Sequence, residues 1–258
     1  MTKTINRQLG WPTLRKDVEN FVTNCSECQT MKGQKKKYGK LSPKQAETDA
    51  WSTVCLDSIG KWTITTNRGE ISLRALTMID PVTGWIEIGV QRDCTPEEVT
   101  NIFTDEWLSR YPKPSKVIFD NGSEFKGEFK QLCKEYGIKA QATTVKNPQA
   151  NGICERVHQV IANMIRTFNI PELEIDLQDP WSEIISAVAW AIRSSYNTGI
   201  DATPGELVFG RDMIYNVPYT PNWSLIEKRK QNMIDENLKR ENKVVMATEG
   251  VDRGFLRK

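Results

Sequence analysis

Apolar positions in this chain recur with two different periods, and the switches between them divide it into elements. In "WPTLRKDVENFVT", residues 11–23, Trp11, Leu14, Val18, Phe21 and Val22 fall on one side of a short helix, with Pro12 suited to its first turn. From Trp51 the runs are short and strand-like: "WSTVCLDSIG" with Trp51, Val54, Leu56 and Ile59, then "ISLRALTMID" and "GWIEIGV", joined by the turn Asp80-Pro81-Val82-Thr83. Three sequential strands with a short hairpin are expected to be antiparallel neighbours. Next, "TPEEVTNIFTDEWLSRY" offers Thr95 as cap with Glu98 three residues on, and Val99, Ile102, Phe103 and Trp107 on one face of a helix.

"KVIFD" predicts a fourth strand, "EFKGEFKQLCKEYG" a helix ending at Gly137, and "IKAQATTV" a fifth strand. Turn signals at Asn147-Pro148 and Asn151-Gly152 then give way to a helix whose face is Ile153, Val157, Val160, Ile161 and Met164. In "PWSEIISAVAWAIRSSYN", Asp179 is expected as the cap and Pro180 at the first position, with Ile184, Ile185, Val188 and Ile192 buried. From Trp223 to about Asn242 charges of both signs dominate, which predicts an exposed helix or linker. The order β-β-β-α-β-α-β-α predicts an α/β fold with a five-stranded mixed sheet and helices on its faces.

Length and charge narrow this picture. A chain of 258 residues with 38% hydrophobic content can build one sizeable core with smaller appendages. The net charge of +2 is near neutral, so a nucleic-acid surface would have to be a local patch. "KGQKKKYGK", Lys32 to Lys40, has five lysines and no acid; Lys35, Lys36 and Lys37 are candidate phosphate contacts, and a solvated linker is the equal alternative. No apolar run reaches the roughly 18–20 residues a bilayer requires, and the N-terminus lacks a signal-peptide apolar segment, so a soluble, intracellular protein is expected. Six scattered cysteines point to reduced thiols, with Cys25 and Cys28 the one recognisable pair.

The chemistry that these patterns make room for is carboxylate chemistry. Asp57 lies within the first strand and Asp120 at the end of the fourth, where ligands gather in open sheets. Glu155 sits in the first turn of the helix behind the 147–152 turns. Alone, that position suits a Glu for helix-start electrostatics. With Asp57 and Asp120, however, it could complete a cluster of three acids, which divalent cations stabilise. Mg²⁺ prefers oxygen ligands, and two such ions about 3.5–4 Å apart can promote an in-line phosphoryl displacement. Asp80, in a turn, and Asp93, Glu97 and Glu98, near a helix start, have local explanations.

Three ordered motifs, "WSTVCLDSIG", "VIFDNGSEF" and "NPQANGICERVHQVI", resemble the D,D-35-E catalytic core of retroviral and LTR-retrotransposon integrases, and "TPGELVFGR" resembles the gypsy-type elements in particular. The resemblance covers about Trp11 to Arg211. It implies a ribonuclease H-like fold, Asp57, Asp120 and Glu155 as catalytic, metal-holding carboxylates for two Mg²⁺ or Mn²⁺ ions, and a loop before Glu155 that closes over DNA. Residues 121–154, 34 in number, separate Asp120 from Glu155 where the family usually has 35, and the missing residue falls before Gly137. "GWPTLRKDVENFVTNCSECQTMK" resembles the second half of the family's HHCC zinc-binding domain, but only Cys25 and Cys28 of four ligands are in place and the sole histidine is His158. Zinc binding by this chain is therefore not expected, and the N-terminus reads as truncated; "EGVDRGFLRK" faintly resembles the start of the small barrel that follows the core.

The expected organisation is a partial HHCC region at 1–31, a basic linker at 32–50, a catalytic core at 51–213 and a helical extension with a truncated C-terminal domain at 214–258. The function implied is DNA integration: 3′-end processing and strand transfer of element DNA into chromosomal DNA, in the nucleus, by a homo-oligomer without membrane partners. Arg156, His158 and Gln159 beside Glu155 are either a DNA surface or a solvated helix face. Two rivals stay open: a non-catalytic nucleic-acid-binding scaffold derived from an integrase, and a DNA transposase with the same core.

Overall fold

The computed structural model describes residues 2–25, 46, 48–66, 69–143, 152–167, 179, 181–236 and 238–239. Its sheet has the order β3-β2-β1-β4-β5. Strand β1 (Thr53–Thr66) pairs antiparallel with β2 (Gly69–Ile79), and β2 pairs antiparallel with β3 (Ile86–Gln91). On the other side β4 (Lys116–Phe119) runs parallel to β1, and β5 (Lys139–Ala142), exposed at all four residues, runs parallel to β4. This is the five-stranded mixed sheet that the hydrophobic pattern predicts.

Alternation along β1 divides the interior in two. Cys55 and Ile59 enter one core, with Cys154, Ile161 and Ile165 of helix α5 (Gly152–Thr167) and Ile184, Ile185 and Val188 of α6 (Ser182–Ser194). Val54 and Leu56 enter the other, with Val99 and Phe103 of α3 (Pro96–Phe103), Trp107, and Phe129 and Cys133 of α4 (Glu128–Glu135). Close approach of α3 depends on Gly89 of β3, where a Cβ would meet Ile102 Cγ2 at 2.3 Å. Thr95 caps α3 by accepting from Glu98 N at 3.2 Å. Beyond Phe103 the helix loosens into one π-helical turn, Thr104–Leu108.

Several local expectations give way to competing forces. Gly127, at φ 53°, breaks the helix expected over 124–137 into a 3₁₀ turn, Ser123–Phe125, and α4, because its left-handed backbone cannot continue a helix. Helix α6 starts at Ser182 rather than Pro180: Trp181 is the N-cap residue, pinned by its indole N–H to the Ser72 carbonyl at 2.9 Å, while Asp179 still accepts from Ser182 N at 3.3 Å. Val160, expected on the buried face of α5, is 42% exposed, since Cys154, Ile161 and Ile165 already define that face. On α2 (Leu14–Asn24) Leu14 and Val18 are buried but Trp11 and Phe21 are not.

Polar anchors lie outside the apolar cores. Arg7, just past α1 (Thr2–Asn6), forms an ion pair with Glu206 and stacks over Tyr196 and Tyr219 at 5.5 and 5.1 Å. Glu206 itself closes a capping box with Thr203 at the start of α7 (Pro204–Phe209). Residues 223–236 form α8, which is less exposed than its charges predict: Ile226 is buried, and Lys230 donates to the carbonyls of Pro81 and Val82. Those carbonyls belong to the β2–β3 turn, where the fully buried Asp80 accepts from Val82 N, Thr83 N and the Thr83 hydroxyl. At β3, Arg193 of α6 pairs with Glu87, donates to the Ile86 carbonyl at 2.8 Å and lies over Trp85. Tyr111 donates to the same Glu87, and burial beside that carboxylate pushes its hydroxyl up to about 12.

Candidate active site

The parallel register of β1 and β4 pairs Thr53 with Lys116, Val54 with Val117 and Cys55 with Ile118. Carried two residues further, the same offset sets Asp57 beside Asp120, which follows directly on the last residue of β4. Asp57 has the parity of Cys55 and Ile59, and Asp120 that of Ile118, so both belong to the sheet face on which α5 and α6 pack. Neighbouring strands lie about 4.8 Å apart, a spacing at which two carboxylates can share a cation.

Their surroundings differ. The Asp57 side chain is 18% exposed, within a β1 segment whose neighbours Leu56 and Ile59 are buried. Asp120 is exposed, and its Oδ1 accepts from Gly122 N at 2.9 Å in a tight turn formed by Asn121-Gly122. One carboxylate is thus held by the sheet and the other by a local turn at the strand's end.

Helix α5 reaches Asp57 through His158. His158 Nδ1 lies 3.7 Å from Asp57 Oδ2, and His158 Nε2 lies 2.7 Å from Thr77 Oγ1. Thr77 is the cross-strand partner of Asp57 on β2, and its hydroxyl donates to the Asp57 backbone carbonyl at 2.9 Å. Burial pushes the imidazole down to about 4, so the ring is neutral near pH 7 despite the nearby carboxylate, whose distance is too long for a direct hydrogen bond.

Glu155 occupies the α5 position one helical turn before His158, and its side chain lies outside the described residues. Among the described residues, no group of three or more His, Cys, Asp and Glu side chains is assembled for a metal. Residues 144–151, where the sequence predicts the loop before Glu155, lie outside them too, as do Cys28 and all of Lys32–Lys40, with Lys35, Lys36 and Lys37. Cys25, directly after α2, is half-buried.

Of the three residues beside Glu155, Arg156 and Gln159 are exposed on α5, while His158 turns to the sheet. His158 therefore departs from the solvent-facing or DNA-facing position expected of it. The His158–Thr77–Asp57 contact was not legible from any of the motifs. Its one sequence trace is Thr77 itself, a polar residue inside the apolar run "ALTMI" of a central strand.

Known proteins resemble the chain in both its parts. Residues 1–34 match the family model of the integrase zinc binding domain. Over 211 residues, 81% of the chain, the sequence is 23% identical to the Transposon Tf2-3 polyprotein of Schizosaccharomyces pombe, and equally to its Transposon Tf2-4 polyprotein. The chain spans 15% of the length of each of these relatives. A solved structure of the simian T-cell lymphotropic virus intasome in complex with PP2A regulatory subunit B56 gamma aligns with a TM-score of 0.56 at 15% identity, covering 86% of this chain and 78% of that one. The five-stranded mixed sheet with flanking helices is ribonuclease H-like, and the similarities agree with the retroelement-integrase resemblance of the motifs.

Proposed function

We propose that the chain is the integrase segment of a retroelement polyprotein, a polynucleotidyl transferase that trims the ends of element DNA and joins them to chromosomal DNA. The observation that supports this most is that Asp57 on β1 and Asp120 just past the adjacent parallel strand β4 each lie two positions beyond the registered pair Cys55 and Ile118, with the helix that contains Glu155 packed on the sheet face of Cys55. The similarity to transposon polyproteins over 81% of the chain supports the retroelement origin.

Carboxylate oxygens at a partly open strand end suit Mg²⁺ or Mn²⁺, which favour oxygen donors and retain waters in their shell. Asp57 and Asp120, with Glu155, would hold the ions. Divalent cations bound there supply positive charge to the attacking and leaving oxygens of an in-line displacement at a phosphodiester. The chain's own contribution is to hold those acids rigidly: Asp57 through the β1–β2 ladder and Thr77, Asp120 through its turn. Both reaction steps are one displacement with different nucleophiles, water first and a DNA 3′-hydroxyl second. The substrates are element-end and target DNA, engaged by a homo-oligomer in the nucleus; the similarity to a chain of a viral intasome is consistent with an oligomer. Arg156 and Gln159, exposed beside Glu155, are DNA contacts in this reading.

The test is Mg²⁺- or Mn²⁺-dependent nicking and joining of a short element-end duplex. Asp57→Asn, Asp120→Asn and Glu155→Gln should each abolish both steps while leaving DNA affinity nearly intact, since removing an acid cannot weaken attraction to phosphates. Retained activity in any of the three would refute the triad. An inactive wild type that still binds DNA would favour the scaffold alternative.

A further inference from the structure

Thr77 has a single hydroxyl hydrogen, and a backbone carbonyl can only accept, so the 2.9 Å bond to the Asp57 carbonyl uses it. The 2.7 Å contact between Thr77 Oγ1 and His158 Nε2 must then be donated by the ring. That assigns a hydrogen to Nε2, with Nδ1 of the same ring 3.7 Å from Asp57 Oδ2.

We infer that His158 and Thr77 are positioning residues of the Asp57 site: an imidazole–hydroxyl–carbonyl relay fixes helix α5 to strand β1 at Asp57, one helical turn from Glu155. The inference rests on the integrase function proposed above and adds residues that act through the carboxylates. Packing alone does not account for the arrangement. The apolar face of α5 is already filled by Cys154, Ile161 and Ile165, and an imidazole there costs desolvation that an aliphatic side chain would avoid. Thr77 is likewise fully buried in a strand of Leu76, Met78 and Ile79, and its hydroxyl is spent on the backbone of the acid directly opposite. Two elements distant in sequence thus meet at the carbonyl of Asp57. A slip of α5 against β1 would change the distance between the Asp57 and Glu155 positions, and the relay opposes that slip.

The experiment uses the full chain and reads Mn²⁺ binding from the free-ion electron paramagnetic resonance signal, alongside nicking rate, KM for duplex DNA and thermal melting. Thr77→Val keeps the side-chain shape and removes the hydroxyl; Thr77→Ser keeps the hydroxyl. His158→Leu removes the ring donor; His158→Gln offers an amide N–H near the site of Nε2. Loss of the relay should weaken Mn²⁺ binding and slow nicking by about tenfold, at the lower end of what partners of metal ligands contribute, with KM for DNA little changed. Thr77→Ser and His158→Gln should restore both to within about threefold of wild type. The inference is overturned if Thr77→Val and His158→Leu match wild type in Mn²⁺ affinity and rate, or if the Ser and Gln variants fall as far as Val and Leu. Should His158→Leu fail to fold, Thr77→Val against Thr77→Ser decides. A wild-type chain whose Mn²⁺ binding is indifferent to Asp57→Asn would instead overturn the integrase proposal, and this inference with it.

Discussion

Asp57 of β1 and Asp120, the residue that follows the parallel strand β4, each lie two positions beyond the registered pair Cys55 and Ile118. Like charges so placed repel, and a divalent cation relieves the repulsion. Mg²⁺ at ten times its dissociation constant should therefore stabilise the wild-type fold by about 1.4 kcal/mol, an increment that NaCl of equal ionic strength does not reproduce. Asp57→Asn should lose the increment and be no less stable than wild type without metal. Melting scans with and without Mg²⁺ check this; an undiminished Mg²⁺ response in the variant would place the cation elsewhere.

Arg7 and Arg15 both face a glutamate near the N-terminus, yet the two pairs should contribute unequally. Glu206, partner of Arg7, is only 3% exposed in its side chain, whereas the Arg15–Glu19 pair is 86% and 63% exposed. Arg7→Ala leaves a buried carboxylate with only its capping-box donor, a loss of about 1–3 kcal/mol. Arg15→Ala should cost no more than about 0.5 kcal/mol. Urea unfolding of the two variants makes the comparison, and equal costs would argue against docking of α1 on α7.

Lys230 gives the fold an alkaline signature. Burial among the β2–β3 turn carbonyls lowers its pKa from 10.5 to about 8, although Asp80 pulls in the other direction. Between those two values the unfolded chain keeps the proton and the folded chain has released it, so this group makes stability rise with pH across that window. Below pH 8 the lysine is charged in both states and its contribution is flat. Lys230→Met should remove the rise, which is seen by subtracting its unfolding free energies from those of wild type at pH 7.5, 9 and 10. A difference that does not change with pH would mean that the amine is solvated.

Gly89 tests the packing of α3 on the sheet. An added methyl would fall 2.3 Å from Ile102 Cγ2, so Gly89→Ala must push α3 outward or twist Ile102 from its rotamer, at a cost of about 1–3 kcal/mol. The double variant Gly89→Ala with Ile102→Leu, whose Cβ has no second branch, removes the Cγ2 methyl in conflict and should recover part of that loss. Chemical denaturation of the single and double variants checks it.

The sequence pattern located all five strands; in β1 to β4 apolar runs feed two separate cores and a one-residue error would invert them, whereas β5 is exposed at all four residues. It placed Asp57 within the first strand and Asp120 at the end of the fourth, directly after β4 as observed. Their adjacency was another matter, since it depends on which strand β4 joins and in what register. The break at Gly127 was visible as a residue but not as a stop, because glycine within a helix pattern is often tolerated. His158 misled for a physical reason: on a helix with polar neighbours at 156 and 159, nothing local shows that a threonine of a distant strand will meet its ring. Charge patterning failed at α8 in the same way, where Lys230 finds partners in a turn some 150 residues earlier in the chain.

The two margins of the sheet are closed to newcomers by different means. At β5 the guard is brevity and polarity: four exposed residues, among them Lys139 and Gln141, offer too short a ladder for another chain to extend. At β3 the guard is a side chain, since the guanidinium of Arg193 already occupies the Ile86 carbonyl that an added strand would seek. Copies of this protein that assemble should therefore do so through helices and side chains and leave the sheet at five strands in each copy.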